Sequence, residues 1–217
     1  MVGGFRGVPP TEIVILGAGT VGEYAARTAL ALGAEVKVFD SSIYRLRRLQ
    51  NNLGSRVFTS VMQPIVLGKA ITTCDVVIGA IRASHGRSPC IVMEETVARM
   101  KPDSVVIDVS IDQGGCFETS EVTNHMDPVF RKHDVIHYCV PNIASRVPRT
   151  ASYALTNIFT PILVDMGDMG GLMNVVWNKP GIREALYIYQ GHLTNPDLAS
   201  MFNLPCKDIE LLVAANQ

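Results

Sequence analysis

Short apolar runs alternate with longer amphipathic stretches along the first 140 or so residues of the chain. The run at 13–16 is continuously apolar and ends at a glycine, which is typical of a strand buried on both faces. Later runs of the same character predict further strands at 36–39, 56–61, 76–81, 105–109 and 135–140. The stretches between them have helical spacing and stop signals, and they predict helices at 20–32, 43–53, 64–73 and 94–100.

This alternation predicts an α/β fold, because two parallel strands need a crossover between them and a helix normally supplies it. Six strands in this rhythm favour a Rossmann doubly wound parallel sheet with the order 3-2-1-4-5-6. After about residue 142 the pattern becomes helical. Pro148 is placed to open a long helix to 164, a Gly- and Met-rich turn follows, and short helices are expected near 181–186, 195–202 and 207–214.

Composition narrows the class of protein. The chain has 217 residues, 47% hydrophobic residues and a formal net charge of −1, so no general attraction to nucleic acid or to an anionic membrane is expected. The five cysteines are scattered without a CxxC pair, which predicts neither a disulfide framework nor a metal site and fits a reduced, cytoplasmic setting. No signal peptide is recognised, and no apolar run approaches the roughly 20 residues of a membrane-spanning helix.

The segment 17–22 reads Gly-Ala-Gly-Thr-Val-Gly, a GxGxxG motif that directly follows the first predicted strand and opens the first helix. In such a turn the first glycine permits the sharp bend, the second lets the backbone approach a diphosphate, and the third allows close packing of helix on strand. The phosphates then lie at the helix N-terminus, where free N–H groups favour negative charge. The predicted cofactor-binding residues of this turn are Gly17, Gly19, Thr20, Val21 and Gly22.

Asp40 ends the second predicted strand, eighteen residues after Gly22. A carboxylate there accepts hydrogen bonds from the adenosine ribose hydroxyls and repels a 2′-phosphate, which favours NAD over NADP. Arg45, Arg47 and Arg48 follow closely, and an arginine in this place could instead accommodate that phosphate, although a solvated helix face is the favoured interpretation. Methyltransferases share a glycine turn and an acid, but the late third glycine and the sixth strand favour a dinucleotide.

Two acids lie near the end of the fifth predicted strand, at the sheet edge where ligands bind in this fold. Asp108 lies within the apolar run, so it is expected to be a hydrogen-bonded structural acid. Asp112 lies further out, where a nicotinamide ring is expected, and it is the candidate for contact with a substrate. The chemistry of the residues alone leaves a structural role for Asp112 equally open.

Taken together, several segments resemble the C-terminal part of alanine dehydrogenase, in the family that also contains the nucleotide-binding subunit of proton-translocating transhydrogenase. The resemblance covers nearly the whole chain, and it is carried by residues 17–22, 36–40, 75–81, 108–117, 137–140, 147–150 and 153–157. The Ile-Asp-Gln-Gly-Gly segment at 111–115 discriminates between the branches, because the transhydrogenase branch has an asparagine-containing sequence there. The chain departs from the family at 82–88, where a Pro-Gly-Ala-Lys-like stretch is usual.

The resemblance implies roles for individual residues. Asp40 matches the ribose-binding acid, and Arg45 matches a basic residue beside the adenosine. Asp112 matches the catalytic acid at the nicotinamide and substrate, which acts beside a histidine. Apolar positions lining the cofactor correspond to Ile81, Ile91 and Val109. The loop that touches the nicotinamide end corresponds to Asn142 and Ile143.

The implied activity is the NAD-dependent interconversion of L-alanine with pyruvate and ammonia in a cytoplasmic homo-oligomer. In this family a preceding domain carries the substrate-binding arginine and lysine and the catalytic histidine. We therefore expect residues 1–142 to form an NAD-binding Rossmann domain. Residues 143–217 are expected to be a helical segment of a catalytic lobe whose N-terminal part is absent from this sequence. Such a piece is expected to bind NAD without turning over alanine.

Two other functions stay open at the level of sequence. One is a non-catalytic nucleotide-binding module, and the other is part of a soluble transhydrogenase subunit. The histidines of the chain have no spacing that pairs one of them with Asp112. Each histidine is expected to be a surface or packing residue, and among them His85 has the strongest case for a functional role, because it lies in the loop after the fourth predicted strand.

Overall fold

The computed structural model describes residues 2–83 and 86–215, and within these residues a seven-stranded sheet forms the centre of the fold. The strands are β1 (Glu12–Leu16), β2 (Glu35–Phe39), β3 (Phe58–Ser60), β4 (Val76–Gly79), β5 (Val105–Asp108), β6 (Val129–Lys132) and β7 (Val135–Tyr138). Their order is β3-β2-β1-β4-β5-β7-β6, and all neighbours are parallel except β6 and β7. The predicted Rossmann order is confirmed, with β7 as the predicted sixth strand.

The antiparallel edge strand β6 was not predicted from the sequence. It forms a hairpin with β7 through His133 and Asp134, whose φ angles of 54° and 58° are those of a two-residue turn that matches the twist of paired strands. Neither residue is a glycine, so the usual sequence signal of such a turn is missing. Several strands also end earlier than predicted. In particular, Val109 does not belong to β5 and begins a short 3-10 helix, Val109–Gln113.

Helices cover both faces of the sheet, which explains why the strand sequences are continuously apolar. The helices of this part are α1 (Thr20–Ala31), α2 (Ile43–Leu53), α3 (Pro64–Thr73) and α4 (Glu94–Val97). Alternate residues of β1 point to opposite sides: Val14 and Leu16 pack into one cluster with α3, and Ile15 packs into the other with α1 and α2. Because both faces of the sheet are covered, the strands can reach a ligand only through the loops at their carboxyl ends.

Contacts between residues divide the chain into two compact units, of which one ends at Ile143 and the other begins at Ala144. The second unit contains α5 (Pro148–Asp168), α6 (Leu172–Asn178), α7 (Pro180–Glu184), β8 (Ile188–Tyr189), β9 (His192–Leu193), α8 (Pro196–Phe202) and α9 (Ile209–Ala214). Its small core is centred on Val176, Tyr189 and Val213. The assignment of this unit to a catalytic lobe stays a prediction.

The structure corrects the prediction for the second unit: the strands β8 and β9 were not predicted, and two changes concern its first helices. The long helix α5 continues to Asp168 instead of ending at 164, and it contains no buried residue. The expected Gly- and Met-rich turn is short, because α6 begins directly after Gly170 and Gly171, both of which have positive φ. The glycines correctly predicted a turn, but α6, which begins directly after them, was not predicted.

Candidate functional site

The glycine turn between β1 and α1 is shaped by close backbone contacts. Gly17 has a φ of 107°, and a Cβ on it would lie 2.4 Å from the carbonyl oxygen of Ala80. A Cβ on Gly22 would lie 1.8 Å from the carbonyl oxygen of Gly17, so α1 can pack this closely on β1 only with glycine at that position. A Cβ on Gly19 would meet no heavy atom within 4 Å. The first and third glycines are therefore needed for packing, whereas Gly19 leaves an open face of backbone.

Asp40 connects the end of β2 to the glycine turn. Its Oδ2 accepts a hydrogen bond of 2.7 Å from the backbone N–H of Ala18, and its Oδ1 accepts one of 2.7 Å from the N–H of Ser42. The residue is only 3% exposed. The Arg45 guanidinium lies 3.9 Å from Oδ2, and Arg48 donates to the carbonyl oxygen of Ala18 at 3.3 Å. Two arginines of α2 therefore contact Asp40 or the glycine turn, while the arginine face remains exposed.

A cavity of about 490 Å³ opens at the carboxyl ends of β1 and β2, and we call it the β1–β2 cavity. Predicted cofactor residues that line it are Gly17, Gly19, Asp40, Arg45, Ile81 and Ile91. Met62, Arg82 and Arg87 also line it, although the sequence analysis did not name them as ligands. Their common signal in the sequence is that they lie in loops following β3 and β4, at the edge where ligands bind.

A second cavity of about 340 Å³, the β4–β5 cavity, is lined by four predicted site residues, Val21, Ile81, Val109 and Asp112. Ser110 and Gln113 line it as well. Both cavities share Ala80, Ile81 and Arg82 in their walls, so they adjoin across the carboxyl end of β4. Together they form a groove that runs from Asp40 to Asp112, which brings the predicted acids to its opposite ends. Predicted residues outside both walls are Thr20, Gly22, Asn142 and Ile143.

The structure places the two acids of the β5 region in different environments. Asp108 is 1% exposed and accepts hydrogen bonds from the N–H groups of Ser110 and Cys116, both at 2.9 Å, and from the Ser120 hydroxyl at 2.6 Å. It is thus a structural acid, and its proximity adds to burial in raising the pKa of the Cys116 thiol above its usual range. Asp112 is exposed on the 3-10 helix.

Asp112 and Gln113 hold three loops together at this end of the groove. Asp112 Oδ1 accepts a hydrogen bond of 2.7 Å from the backbone N–H of Asn142. The side-chain Oε1 of Gln113 accepts one of 3.2 Å from the N–H of Ala83, and its carbonyl oxygen accepts one of 2.8 Å from the N–H of Ser88. The Asn142 backbone is therefore bonded to a residue of the β4–β5 cavity, although Asn142 lines neither cavity.

Other candidate chemistry finds no support in the part of the chain that is described. Within residues 2–83 and 86–215, no group of three or more His, Cys, Asp or Glu side chains is arranged to hold a metal ion. Within the same ranges, no helix has the length and apolar character needed to cross a membrane. The candidate His85 lies outside the described residues.

The residues of the groove fit a dinucleotide. Gly19 is the N-cap of the twelve-residue helix α1; because it has no side chain to cap the helix, first-turn N–H groups can receive an anion. Asp40 lies at one end for a ribose, and the apolar side chains of Ile81 and Val109 lie toward the other for a flat ring. These features are the chemical requirements of a diphosphate joined to two nucleosides.

The family model and the similar curated proteins both point to alanine dehydrogenase. The family described as alanine dehydrogenase/PNT, C-terminal domain, matches residues 1–196. Alanine dehydrogenase of Mycolicibacterium smegmatis is 40% identical over 214 residues, which are 99% of this chain and 57% of that protein. Alanine dehydrogenase 2 of Staphylococcus aureus strain USA300 is 38% identical over 211 residues, 97% of this chain and 56% of that protein. The chain thus spans just over half the length of these relatives.

Solved structures show the same relationship. A structure of L-alanine dehydrogenase superimposes with a TM-score of 0.85 at 36% identity and covers 93% of this chain and 55% of its own. The transhydrogenase of Sinorhizobium meliloti superimposes with a TM-score of 0.69 at 25% identity, over 87% of this chain and 51% of its own. Both the sequence and the architecture are more similar to the first of these structures than to the second.

Proposed function

This chain belongs to the alanine dehydrogenase/PNT family, by its match to the C-terminal domain, and we propose that it supplies the NAD-binding domain of an L-alanine dehydrogenase. The family consists of pyridine nucleotide-dependent oxidoreductases with a Rossmann-type fold. The observation that carries the proposal is the groove from Asp40 to Asp112 in a chain 40% identical to an alanine dehydrogenase over 99% of its length.

In this proposal the diphosphate of the cofactor lies over the N-terminus of α1, where the missing Cβ of Gly19 lets the backbone N–H groups approach it. Asp40 accepts hydrogen bonds from the adenosine ribose, since each of its oxygens has a further lone pair beyond the one used by a backbone N–H. Its negative charge disfavours a 2′-phosphate, which supports NAD over NADP. Arg45 lies on the exposed side of the same cavity, beside the adenosine.

In the β4–β5 cavity, Val109 offers apolar contact to the nicotinamide ring together with Ile81 at the junction of the cavities, and the two exclude water from one side of the ring. When bound, the nicotinamide supplies the acceptor for the hydride that leaves the alanine Cα. Asp112 holds its Oδ1 against the Asn142 N–H, which leaves Oδ2 as the oxygen turned to the substrate's ammonium group or its proton. We assign the catalytic role of this site to Asp112.

The proposed activity needs groups beyond those of this chain, which spans just over half the length of its relatives. We assign the groups that bind the alanine carboxylate, and the histidine that moves the proton, to the part of the relatives that this chain does not match. Residues 143–217 then complete that catalytic lobe, and residues 1–142 form the nucleotide-binding domain. L-alanine and pyruvate are the proposed small-molecule substrates, and a cytoplasmic homo-oligomer is the proposed assembly.

Fluorescence titration of the 217-residue chain with NADH and with NADPH tests the proposal. We expect saturable NADH binding and at least about tenfold weaker NADPH binding, which corresponds to about 1.4 kcal/mol. The same chain mixed with L-alanine and NAD is expected to form no pyruvate. Absence of NADH binding would overturn the proposed function, and pyruvate formation by this chain would overturn the assignment of substrate-binding groups to another part of the protein.

A transhydrogenase domain is the second candidate, and the superposition on the Sinorhizobium meliloti transhydrogenase supports it. The higher identity to alanine dehydrogenases favours the first candidate. The two differ in the hydride donor, which is alanine in one case and a reduced nicotinamide dinucleotide in the other, so an assay of the full-length protein separates them. Alanine-dependent formation of NADH supports the dehydrogenase, whereas hydride exchange between two nicotinamide dinucleotides without alanine supports the transhydrogenase.

A further inference from the structure

Arg82 lies where the β1–β2 cavity and the β4–β5 cavity adjoin. It is one of three residues that line both cavities, and the other two, Ala80 and Ile81, have no polar side chain. The N-terminus of α1 borders the same junction, because Gly19 lines the first cavity and Val21 lines the second. A ligand that passes from one cavity to the other therefore passes both the first turn of α1 and the Arg82 side chain.

The groove contains guanidinium groups with which no described carboxylate pairs, Arg82 at the junction and Arg87 in the wall of the β1–β2 cavity. The carboxylates of Asp40 and Asp112 lie at its two ends, and Arg45 lies beside Asp40. Among residues 2–83 and 86–215, no hydrogen bond or ion pair engages the guanidinium groups of Arg82 and Arg87. The N-terminal end of the α1 dipole adds to the same sign of charge. An anion is the chemical complement of this region.

The backbone around Arg82 is held in place by hydrogen bonds. The N–H of Ile81 donates to the Ser110 hydroxyl at 2.9 Å, and the N–H of Ala83 donates to Gln113 Oε1 at 3.2 Å. Residues on both sides of Arg82 are thus tied to the 3-10 helix that carries Asp112. A guanidinium that projects from a fixed backbone loses less conformational freedom when it binds a ligand than one on a mobile loop.

We propose that Arg82 binds the diphosphate of the nicotinamide dinucleotide, so that the diphosphate lies between this guanidinium and the N-terminus of α1. The proposal rests on the proposed function and adds a specificity-determining residue to it. A planar guanidinium can donate two parallel, charge-assisted hydrogen bonds to phosphate oxygens. Binding then depends on the charged linker between the two nucleosides as well as on the ribose contact of Asp40.

The test compares three ligands and three variants of the 217-residue chain. NADH and ADP-ribose contain the diphosphate, whereas adenosine contains no phosphate. We expect Arg82→Ala to weaken NADH and ADP-ribose binding about tenfold and to leave adenosine binding unchanged. Arg82→Lys should recover part of the loss, because it keeps the charge but not the planar fork. Arg47→Ala is the matched control, since Arg47 is an exposed arginine that lines neither cavity.

The dependence on salt gives a second readout. Removal of a guanidinium that contacts phosphate should flatten the fall of NADH affinity with ionic strength, and Arg47→Ala should leave that slope unchanged. Equal NADH affinity of Arg82→Ala and wild type would overturn the assignment of Arg82 while leaving the proposed function in place. An equal loss for adenosine would also overturn it, because the residue would then act on the shape of the cavity. A wild-type chain that fails to bind NADH would overturn both proposals.

Discussion

The carboxylate of Asp112 holds the backbone of Asn142, with 2.7 Å between Oδ1 and the amide nitrogen. Asn142 has a φ of 51°, a left-handed conformation that asparagine tolerates better than most residues. The contact joins the segment after β5 to the segment after β7 at the carboxyl edge of the sheet. One oxygen of the proposed catalytic acid is thereby fixed, which fixes the direction of the other.

We predict that Asp112→Ala frees the Asn142 amide. Loss of a hydrogen bond to a charged acceptor at about 1.5 kcal/mol should accelerate hydrogen exchange at that amide by about tenfold. Asp112→Asn keeps an acceptor oxygen and should leave the exchange rate close to that of wild type. Residue-resolved exchange measured by NMR checks both variants. Equal protection of Asn142 in wild type and in Asp112→Ala would show that the contact does not form in solution.

Gly22 and Gly19 should respond in opposite ways to alanine. Gly22→Ala places a Cβ 1.8 Å from a backbone oxygen and is expected to lower the free energy of unfolding by about 3 kcal/mol or more. Gly19→Ala meets no atom within 4 Å and should keep the fold, but its methyl group covers the backbone that the diphosphate approaches. Urea denaturation and NADH titration measure the two effects.

A matched control for these glycine variants is Gly68→Ala in α3, where a Cβ also meets nothing within 4 Å. It should preserve both stability and NADH binding. Unchanged NADH affinity in Gly19→Ala would contradict the proposed position of the diphosphate.

Asp40→Asn should affect stability and cofactor choice together. An amide cannot accept with both of its polar atoms, so the N–H of Ala18 or of Ser42 loses its acceptor. An unpaired buried N–H costs about 1–3 kcal/mol, and loss of the negative charge should narrow the difference between NADH and NADPH affinity. Denaturation and paired titrations check this.

The control for Asp40→Asn is Asp103→Asn, which alters an exposed acid paired with Arg131 on the surface. It should change neither stability nor cofactor choice. A stable Asp40→Asn variant with unaltered cofactor preference would count against both roles of Asp40.

Stability should fall in mild acid because of His137. This residue is fully buried; its ring nitrogens lie 2.9 Å from the Thr119 hydroxyl and 3.1 Å from the Val135 carbonyl oxygen, and burial lowers its pKa below the usual 6.5. Below about pH 6.5 the unfolded chain binds a proton that the folded chain does not, so unfolding becomes easier by up to about 1.4 kcal/mol per pH unit. The loss begins near the unfolded pKa and stops below the folded one.

Urea denaturation at pH 7.5 and pH 5.5 measures this pH effect. His137→Gln should be less stable at both values and should show a smaller difference between them. His192→Gln, in the second unit, is the control and should keep the wild-type difference. An identical pH dependence in His137→Gln and wild type would exclude His137 as the source.

The sequence predicted the parts of this fold that local chemistry determines. The continuous apolar run of β1, the glycines of the first turn and Asp40 each have a spacing that follows from backbone geometry, and the structure places them together. The hairpin of β6 was missed because His133 and Asp134 adopt positive φ without a glycine. Apolar periodicity cannot reveal such a turn, since the energy that holds it comes from pairing of the strands.

The candidate site was predicted less completely than the fold. Asp112 could be singled out because it lies just beyond a strand end, but the contacts of Gln113 with Ala83 and Ser88 join segments about 30 and 25 residues apart. Such contacts depend on how loops meet at the edge of the sheet, which no spacing rule specifies. Arg82 was not predicted as a ligand-binding residue for the same reason, although its position as a cation in the loop after β4 could have suggested it.

The two hydrogen bonds of Asp40 have a consequence for the kinetics of ligand capture. The carboxylate accepts hydrogen bonds from the N–H groups of Ala18 and Ser42, and these bonds order the turn that we propose binds the diphosphate. The conformational entropy of this turn is lost during folding, so nucleotide binding does not have to offset that loss again. Association should accordingly be a single bimolecular step governed by encounter, and differences between nucleotides should be expressed mainly in how fast they leave.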